Sequence, residues 1–224
     1  MPIAKPFKKR PLVAAVQAVC YSMLLNAPAQ AGPTGGVVVG GSGAITQSGL
    51  STTINQATQN LAVNWQSFNV NSNERVQFVQ PNASSIALNR ILSNNGSTIA
   101  GRIDANGRVI LVNPNGIFFT PTASLNVGSL IASGLDIKPN DFMNGHYIFN
   151  EIPNSNGAVI NSGMINAALG GNVALLGKQV QNTGLISATL GSVTLAALAP
   201  KPRVNLTRFA RPIVFDSRRG AVMS

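Results

Sequence analysis

The residues of this chain that could act in acid–base or nucleophilic catalysis are few and scattered. A polysaccharide lyase or hydrolase needs clustered carboxylates, or a basic residue beside bound calcium. Five of the six carboxylates are widely separated and do not recur at a fixed offset: Asp104, Asp136, Asp141, Glu151 and Asp216. A catalytic triad needs Ser, His and Asp held together, but the only histidine, His146, is typical of a surface loop, with Asp141 nearby. We therefore predict no catalytic residues and no enzymatic activity.

Cofactor and metal motifs are incomplete as well. The segment VVVGGSGAI contains Gly41 and Gly43, but a dinucleotide-binding fingerprint needs a third glycine and an acidic residue about 20 positions later. The only cysteine, Cys20, lies near the N-terminus, and no spacing of Cys and His suggests a zinc site. The sequence predicts neither a cofactor nor a metal ion.

The positive charge of the chain lies mainly at its two ends. The formal net charge is +10, and 10% of the residues are charged. Residues 32–198 contain six Lys and Arg residues against five Asp and Glu residues, which leaves +1. A nucleic-acid binder needs a basic patch or stripe, so we expect no nucleic-acid partner. The low charge, with Asn, Ser, Thr and Gly in its place, favours turn-rich β-structure over helices.

The N-terminal segment has the three parts of a signal peptide. A basic stretch, KPFKKR, is followed by a mostly apolar run that ends at Leu25, and then by NAPAQAG. Ala29 and Ala31 match the small-x-small cleavage pattern before Gly32. The alternative is a membrane anchor, but residues 12–25 are shorter than the roughly 20 apolar residues of a spanning helix. We predict that residues 1–31 are a signal peptide cleaved between Ala31 and Gly32.

A repeated pattern of about 20 residues predicts the fold. The template is I-x-A, a short gap, then G-x-V-x-L, and it begins at Ile103, Ile165 and Ile186. Its internal period of two is that of strands with alternate side chains in a core. Short strands repeated at this length indicate a solenoid whose coils stack on one another. We predict an all-β fold, a parallel β-helix, in preference to a β-sandwich, which has no reason to repeat this template.

The stretch LVNPNGIFF, residues 111–119, predicts a sharp corner between two strands. Val112 ends one strand, Pro114 fixes φ at the first turn position, and Asn115 can adopt left-handed angles beside Gly116. The amides of Asn113 and Asn115 can bond backbone groups that the corner leaves unpaired. Turn formation alone explains these residue types.

The motifs in order from Gly35 to Ala197 resemble a known family. NWQSFNV, VQFVQPNASSIALNRI, the segment RIDANGRVILVNPNGIFFTPTASLNVGSLIAS and GAVINSGMINA are similar to the N-terminal secretion domain of filamentous-haemagglutinin-like exoproteins. The resemblance implies a right-handed parallel β-helix with an N-terminal cap. It also implies two marked motifs that serve transporter recognition or structure. Here these are Asn113, Pro114, Asn115 and Gly116, and Gln80, Pro81 and Asn82, the second with Gln in place of a leading Asn.

The same resemblance implies a function and partners. Members of the family are adhesin-like exoproteins of two-partner secretion. The implied route is Sec export, recognition by the periplasmic POTRA repeats of an outer-membrane barrel, and folding outside the cell, where a host receptor is a further partner. The alternatives are a β-helix carbohydrate-active enzyme and a structural surface solenoid.

The repeat defines the expected domain bounds. We predict a β-helix domain over residues 32–198. Residues 199–224 are basic and contain three prolines, which remove donors from a strand ladder. We expect this tail to be disordered or to derive from a truncated reading frame, in which case the adhesive passenger would be absent.

Overall fold

The computed structural model describes residues 32–198 and the backbone of three two-residue strands beyond them. The described part is almost entirely β-structure, and its long sheets run parallel from coil to coil. The predicted parallel β-helix is therefore confirmed, and the β-sandwich alternative is wrong. Among the described residues, no helix is both long and apolar enough to cross a membrane.

The first strands form a cap on the N-terminal end of the helix. They are β1 (Val37–Gly40), β2 (Gly43–Ser48), β3 (Ser51–Gln56), β4 (Asn60–Trp65) and β5 (Arg75–Val79). Strand β1 pairs antiparallel with β4, and β2 pairs antiparallel with β3, whereas β3 and β5 are parallel. The antiparallel strands cover the end that parallel coils would leave open, which protects an otherwise unpaired sheet edge.

Parallel coils follow the cap. Their strands are β6 (Ile86–Ile91), β7 (Ser97–Ile99), β8 (Arg102–Ala105), β9 (Arg108–Val112), β10 (Ile117–Phe119), β11 (Ser124–Val127) and β12 (Ser129–Ser133). After an insert that contains the short β13 (Ile148–Phe149), the coils resume with β14 (Ala158–Asn161), β15 (Met164–Ala167), β16 (Val173–Gly177), β17 (Gln179–Asn182), β18 (Leu185–Ser187) and β19 (Val193–Ala197).

Three long sheets form the faces of the described helix. Sheet 1 has the order β1-β4-β6-β9-β12-β16-β19, sheet 2 has the order β17-β14-β10-β7, and sheet 3 has the order β18-β15-β11-β8-β5-β3-β2. Each complete coil contributes one strand to each sheet, as β9, β10 and β11 do in succession. A corner of a few residues joins one sheet to the next.

The repeated template lines the core as predicted, but the sequence pattern missed one coil. Ile103 pairs with Leu125, Leu125 with Ile165, and Ile165 with Ile186. The coil that contains Leu125 reads LNVGSLIA and therefore has Leu and Val where the template has Ile and Ala. Residues of all these coils except the terminal one are buried in one continuous cluster. In that terminal coil, Val193 and Leu195 are each 46% exposed.

Close packing between neighbouring coils explains why the template contains a glycine. Gly107, Gly128, Gly171 and Gly191 precede the successive strands of sheet 1 and stack along one edge. A Cβ atom on any of the last three would collide with the carbonyl of the stacked glycine one coil earlier. Only glycine lets the backbones of neighbouring coils approach this closely.

Residues 134–157 leave the helix between β12 and β14 and cover the outer face of sheet 1. The insert includes the helix α1 (Pro139–Met143). Phe142 and Phe149 are fully buried and form a second apolar cluster with outward side chains of sheet 1, including Leu88, Ile110 and Ile131. The middle strands of sheet 1 are thus buried on both faces, which explains why β12 and β16 are buried along their whole length.

The backbone strands beyond residue 198 are β20 (Val204–Asn205), β21 (Phe215–Asp216) and β22 (Gly220–Ala221). Strand β20 pairs antiparallel with β13 of the insert, and β21 pairs with β22. The rest of residues 199–224 lies outside the described residues. The expected disorder of this tail therefore stays a prediction, as do the domain bounds.

Candidate functional site

The Asn113–Gly116 motif forms the corner between β9 and β10. The Gly116 N–H donates to the Asn113 carbonyl at 2.9 Å, and the Asn115 N–H donates to Asn113 Oδ1 at 2.9 Å. These bonds make a β-turn with Pro at its second position and a superposed Asx turn. The left-handed backbone angle falls on Gly116, whose φ is 109°, and not on Asn115.

The two Asn side chains of this motif bond the preceding coil. Asn113 is fully buried, and its Nδ2 donates to the Asn95 carbonyl at 3.1 Å and to Ser97 Oγ at 3.0 Å. Asn115 Nδ2 donates to the Ser93 carbonyl at 2.8 Å. The carbonyls of the loop between β6 and β7 have no sheet partner, so the amides replace the bonds that a ladder would supply.

The backbone of the same motif continues the stack in both directions. The Ser97 N–H donates to the Gly116 carbonyl at 2.9 Å, and the Gly157 N–H donates to the Pro114 carbonyl at 2.7 Å. Only Pro114 and Asn115 of the four motif residues are partly exposed, because Asn113 and Gly116 are buried. The corner therefore presents little of its motif to a partner once the coils have stacked.

Gln80 plays the equivalent part at the corner between β5 and β6. Its side chain is buried, and Nε2 lies 3.0 Å from Gln56 Oε1, 3.1 Å from the Ser85 carbonyl and 3.2 Å from the Arg108 carbonyl. Its Oε1 accepts the Gly107 N–H at 2.9 Å. The side chain thereby bonds the coil before it and the coil after it.

Pro81 and Asn82 occupy the exposed part of that corner. Asn82 Oδ1 accepts from the Ser84 N–H at 2.9 Å and from Ser84 Oγ at 2.6 Å, while its Nδ2 donates to Gln59 Oε1 at 3.1 Å. The expected motif of Asn-Pro-Asn type is therefore a turn whose polar groups bond one another.

The two motifs do not come together in one site. Gln80 contacts the carbonyl of Arg108, where β9 begins, and Asn113 follows the residue at which β9 ends. They occupy opposite ends of one strand and different edges of the helix. Each is a corner, and the assignment of either motif to transporter recognition stays a prediction.

An exposed ionic group on sheet 3 was missed by the sequence pattern. Arg75 and Arg102 are register partners on β5 and β8, and their Nε atoms lie 2.6 and 2.7 Å from Asp104 Oδ2. Burial would raise the pKa of Asp104, but the hydrogen bonds from Arg102 and Arg75 outweigh it and hold that pKa below its usual value. A cavity of about 490 Å³ beside this group is lined by Gln77 and Asn126, among others. The pairing of β5 with β8 cannot be read from the sequence, so the sequence pattern did not group these residues.

The remaining acidic residues and the histidine are dispersed. Asp136 is bound by Arg90 of β6 through two contacts of 2.6 and 2.8 Å, and Glu151 lies 2.9 Å from Lys178. His146 is exposed in the turn after α1. No three residues of the His, Cys, Asp and Glu types in the described part of the chain are grouped as metal ligands. Ala31 lies outside the described residues, whereas Gly32 is the first residue within them.

The antiparallel cap, the parallel coils and the amide-bonded corners define a capped β-solenoid. Comparison with known proteins identifies its family. Residues 29–216 match the family described as TPS secretion domain. The chain therefore belongs to this family, and it carries the secretion domain of an exoprotein that is exported by two-partner secretion.

Individual relatives agree with this assignment. A heme/hemopexin-binding protein of Haemophilus influenzae is 37% identical over 176 residues, which cover 75% of this chain and 19% of that protein. A second protein of that name is 40% identical over 86 residues, 38% of this chain and 9% of that protein. The chain thus spans less than a fifth of the length of either relative.

A solved structure extends the similarity to the fold. The crystal structure of the HMW1 secretion domain from Haemophilus influenzae superimposes with a TM-score of 0.73 at 34% identity, covering 78% of this chain and 46% of that chain. The predicted family is confirmed by these comparisons. The carbohydrate-active enzyme alternative is not favoured, because the matched family is one of secretion domains.

Proposed function

We infer that this domain is recognised by the periplasmic POTRA repeats of its outer-membrane transporter after Sec export and removal of residues 1–31. The exported chain then acts at the cell surface or in the medium as an adhesin of the haemagglutinin type, with a host receptor as its target. Family membership supports the transporter as the class of partner.

One observation bears on the state in which the transporter reads the chain. Asn113 is fully buried, and both its amide oxygen and its amide nitrogen are used within the corner. A partner cannot form hydrogen bonds with this side chain unless the corner opens. Recognition that depends on Asn113 therefore takes place before coils β6–β8 and β9–β11 stack. We infer that the transporter binds an unfolded or partly folded chain.

The same arrangement supports folding outside the cell. Each coil pairs with its immediate neighbours, so coils can be added one after another onto the cap as the chain emerges. The corner amides then become unavailable, which removes the transporter's ligand and favours release. The domain therefore first directs the chain to the transporter and then provides the cap on which the coils stack.

A capture experiment tests the proposed order of events. The chain beginning at Gly32 is diluted from urea into a solution of the isolated POTRA repeats, and its retention is compared with that of the chain refolded beforehand. We expect the freshly diluted chain to be captured and the refolded chain to bind far more weakly. The double variant Asn113→Ala/Asn115→Ala should lose capture.

Asn140→Ala is the matched control, because Asn140 is an exposed Asn on α1. It should be captured like the unmodified chain. Equal binding of the refolded and the diluted chain, or normal capture of the double variant, would reject recognition of the open corner.

A further inference from the structure

Glu74 is a buried carboxylate at the N-terminal end of the helix. It lies directly before β5 and is 4% exposed. Its Oε2 accepts the Asn71 N–H at 2.7 Å, and its Oε1 accepts from Asn71 Nδ2 at 2.7 Å. None of the four ion pairs between described residues involves Glu74. An ionised carboxylate in such a position needs compensation by hydrogen bonds or by a positive charge.

The third donor to this carboxylate is the backbone of Gly32. The Gly32 N–H donates to Glu74 Oε2 at 3.0 Å. Gly32 is also the residue that follows the predicted cleavage site. Hydrolysis of the peptide bond between Ala31 and Gly32 adds one water molecule across it. The carboxylate stays on Ala31, and the released α-amine of Gly32 takes up a proton.

The following residues hold Gly32 in this place. The Pro33 carbonyl accepts from Gln47 Nε2 at 2.6 Å. Thr34 forms a backbone bridge with Ser67, and their hydroxyl groups lie 2.7 Å apart. In the folded chain these contacts hold the nitrogen of Gly32 beside Glu74, whether it is a peptide nitrogen or the terminal amine.

The position also selects glycine. A Cβ atom on residue 32 would lie 2.8 Å from Oγ1 of Thr52, a residue that is itself buried. Any larger first residue of the mature chain would have to displace the buried Thr52 side chain or move the terminus away from Glu74. The fit of this position to Gly32 is thus independent of the signal-peptide pattern that predicted the cleavage site.

We propose that Glu74 and Asn71 form a binding site for the α-ammonium group of the chain's own mature N-terminus. Cleavage replaces a neutral N–H donor with a charged group of three donors, which strengthens the contact with the carboxylate. The cap therefore reaches its full stability only after the signal peptide has been removed. The inference rests on the signal-peptide cleavage included in the proposed function.

A charge-coupling experiment tests this site. The chain from Gly32 to Ser224 is prepared with a free terminus, by a protease that leaves Gly32 first, and with an Nα-acetylated terminus. The acetyl group imitates the carbonyl of Ala31, keeps the N–H donor and removes the charge. We expect acetylation to lower the folding equilibrium constant about fivefold or more, measured by urea unfolding.

Comparing the free and the acetylated terminus in two variants shows whether the effect of acetylation on folding depends on Glu74. In Glu74→Gln, acetylation should change the folding constant less than twofold, because the amide carries no charge. In Glu151→Gln, the matched control whose carboxylate pairs with Lys178, acetylation should have its full effect. An equal effect of acetylation in unmodified chain and Glu74→Gln, or no effect in the unmodified chain, overturns the proposal.

Two further measurements cover the other outcomes. If Glu74→Gln does not fold, a crystal structure of the mature chain decides: Gly32 nitrogen within hydrogen-bond distance of Glu74 Oε2 supports the site, and any other position overturns it. Mass spectrometry of the exported chain gives its first residue. A first residue other than Gly32 overturns this site but leaves two-partner secretion, which is measured by export, untouched.

Discussion

At the scale of single residues, amide side chains form the hydrogen bonds between coils at the corners, as backbone ladders do in the sheets. Gln80 and Asn113 are buried, and each bonds a neighbouring coil in addition to its own turn. The sequence predicted the Asn113 turn, because Asn, Pro and Gly have local conformational preferences. It did not identify the acceptors in the preceding coil, because Ser97 and Asn95 are brought there only by stacking. Glu74 and the Asp104 group were missed for the same reason.

The variant Asn113→Ala tests the corner. Removing the amide leaves the buried Ser97 Oγ without this partner, and it does the same to the Asn95 carbonyl and the Asn115 N–H in partly buried contacts. We expect the free energy of unfolding to fall by about 2–4 kcal/mol, since each unsatisfied buried group costs roughly 1–3 kcal/mol. Urea unfolding measures this as a lower midpoint at an unchanged slope. Asn140→Ala serves as the exposed control, and a loss as small as in that control would contradict the role assigned to Asn113.

The ion pairs of Asp104 predict a dependence of stability on pH. The pKa of Asp104 is lowered in the folded chain, so its contribution is present above the unfolded-state pKa of about 3.9. The contribution is lost as pH falls through the folded pKa. The stability difference between the unmodified chain and Asp104→Asn should therefore be constant from about pH 7 to 5 and shrink below about pH 4. Urea unfolding at pH 7, 5 and 3 measures it, and an unchanged difference at pH 3 would show that the pairs do not stabilise the fold.

At the scale of elements, the period of the template found most of the coils but not the whole pattern. Ile165 and Ile186 are 21 positions apart, whereas 40 positions separate Leu125 from Ile165 because residues 134–157 leave the helix. The repeated template does not indicate where such an insert begins or ends. Its apolar residues became interpretable only when the structure placed them on the outer face of sheet 1. The cap was implied by the family resemblance and not by the repeat.

The variant Phe142→Ala tests the insert as an element. Phe142 is fully buried against sheet 1 and makes an edge-to-face contact with Tyr147, with ring centroids 5.8 Å apart. Its removal should cost about 3–5 kcal/mol, as expected for a large buried aromatic side chain. The exposed His146 of the same insert supplies the control His146→Ala, which should cost less than about 0.5 kcal/mol. Urea unfolding compares the two, and equal stability would mean that the insert does not hold sheet 1.

At the scale of the whole molecule, few charges and many stacked backbones suit the proposed route, in which the chain crosses a membrane unfolded and folds afterwards. The described residues carry nearly balanced charges, and their stability comes from a continuous apolar core and ladders between adjacent coils. The sequence predicted this architecture well because coil stacking repeats the same residue types. No repeated pattern in the sequence indicates recognition by a transporter, so this step was predicted only from the resemblance to the family.

Export of the full chain with and without its transporter tests the central claim most directly. The chain is expressed with the outer-membrane transporter of the same organism, with that transporter lacking its POTRA repeats, and alone, and the culture medium is assayed by immunoblot. Because the chain carries a two-partner secretion domain, we predict mature chain in the medium only with the intact transporter and periplasmic retention in the other two cultures. Equal amounts in the medium of all three cultures, with the cells intact, would contradict the account.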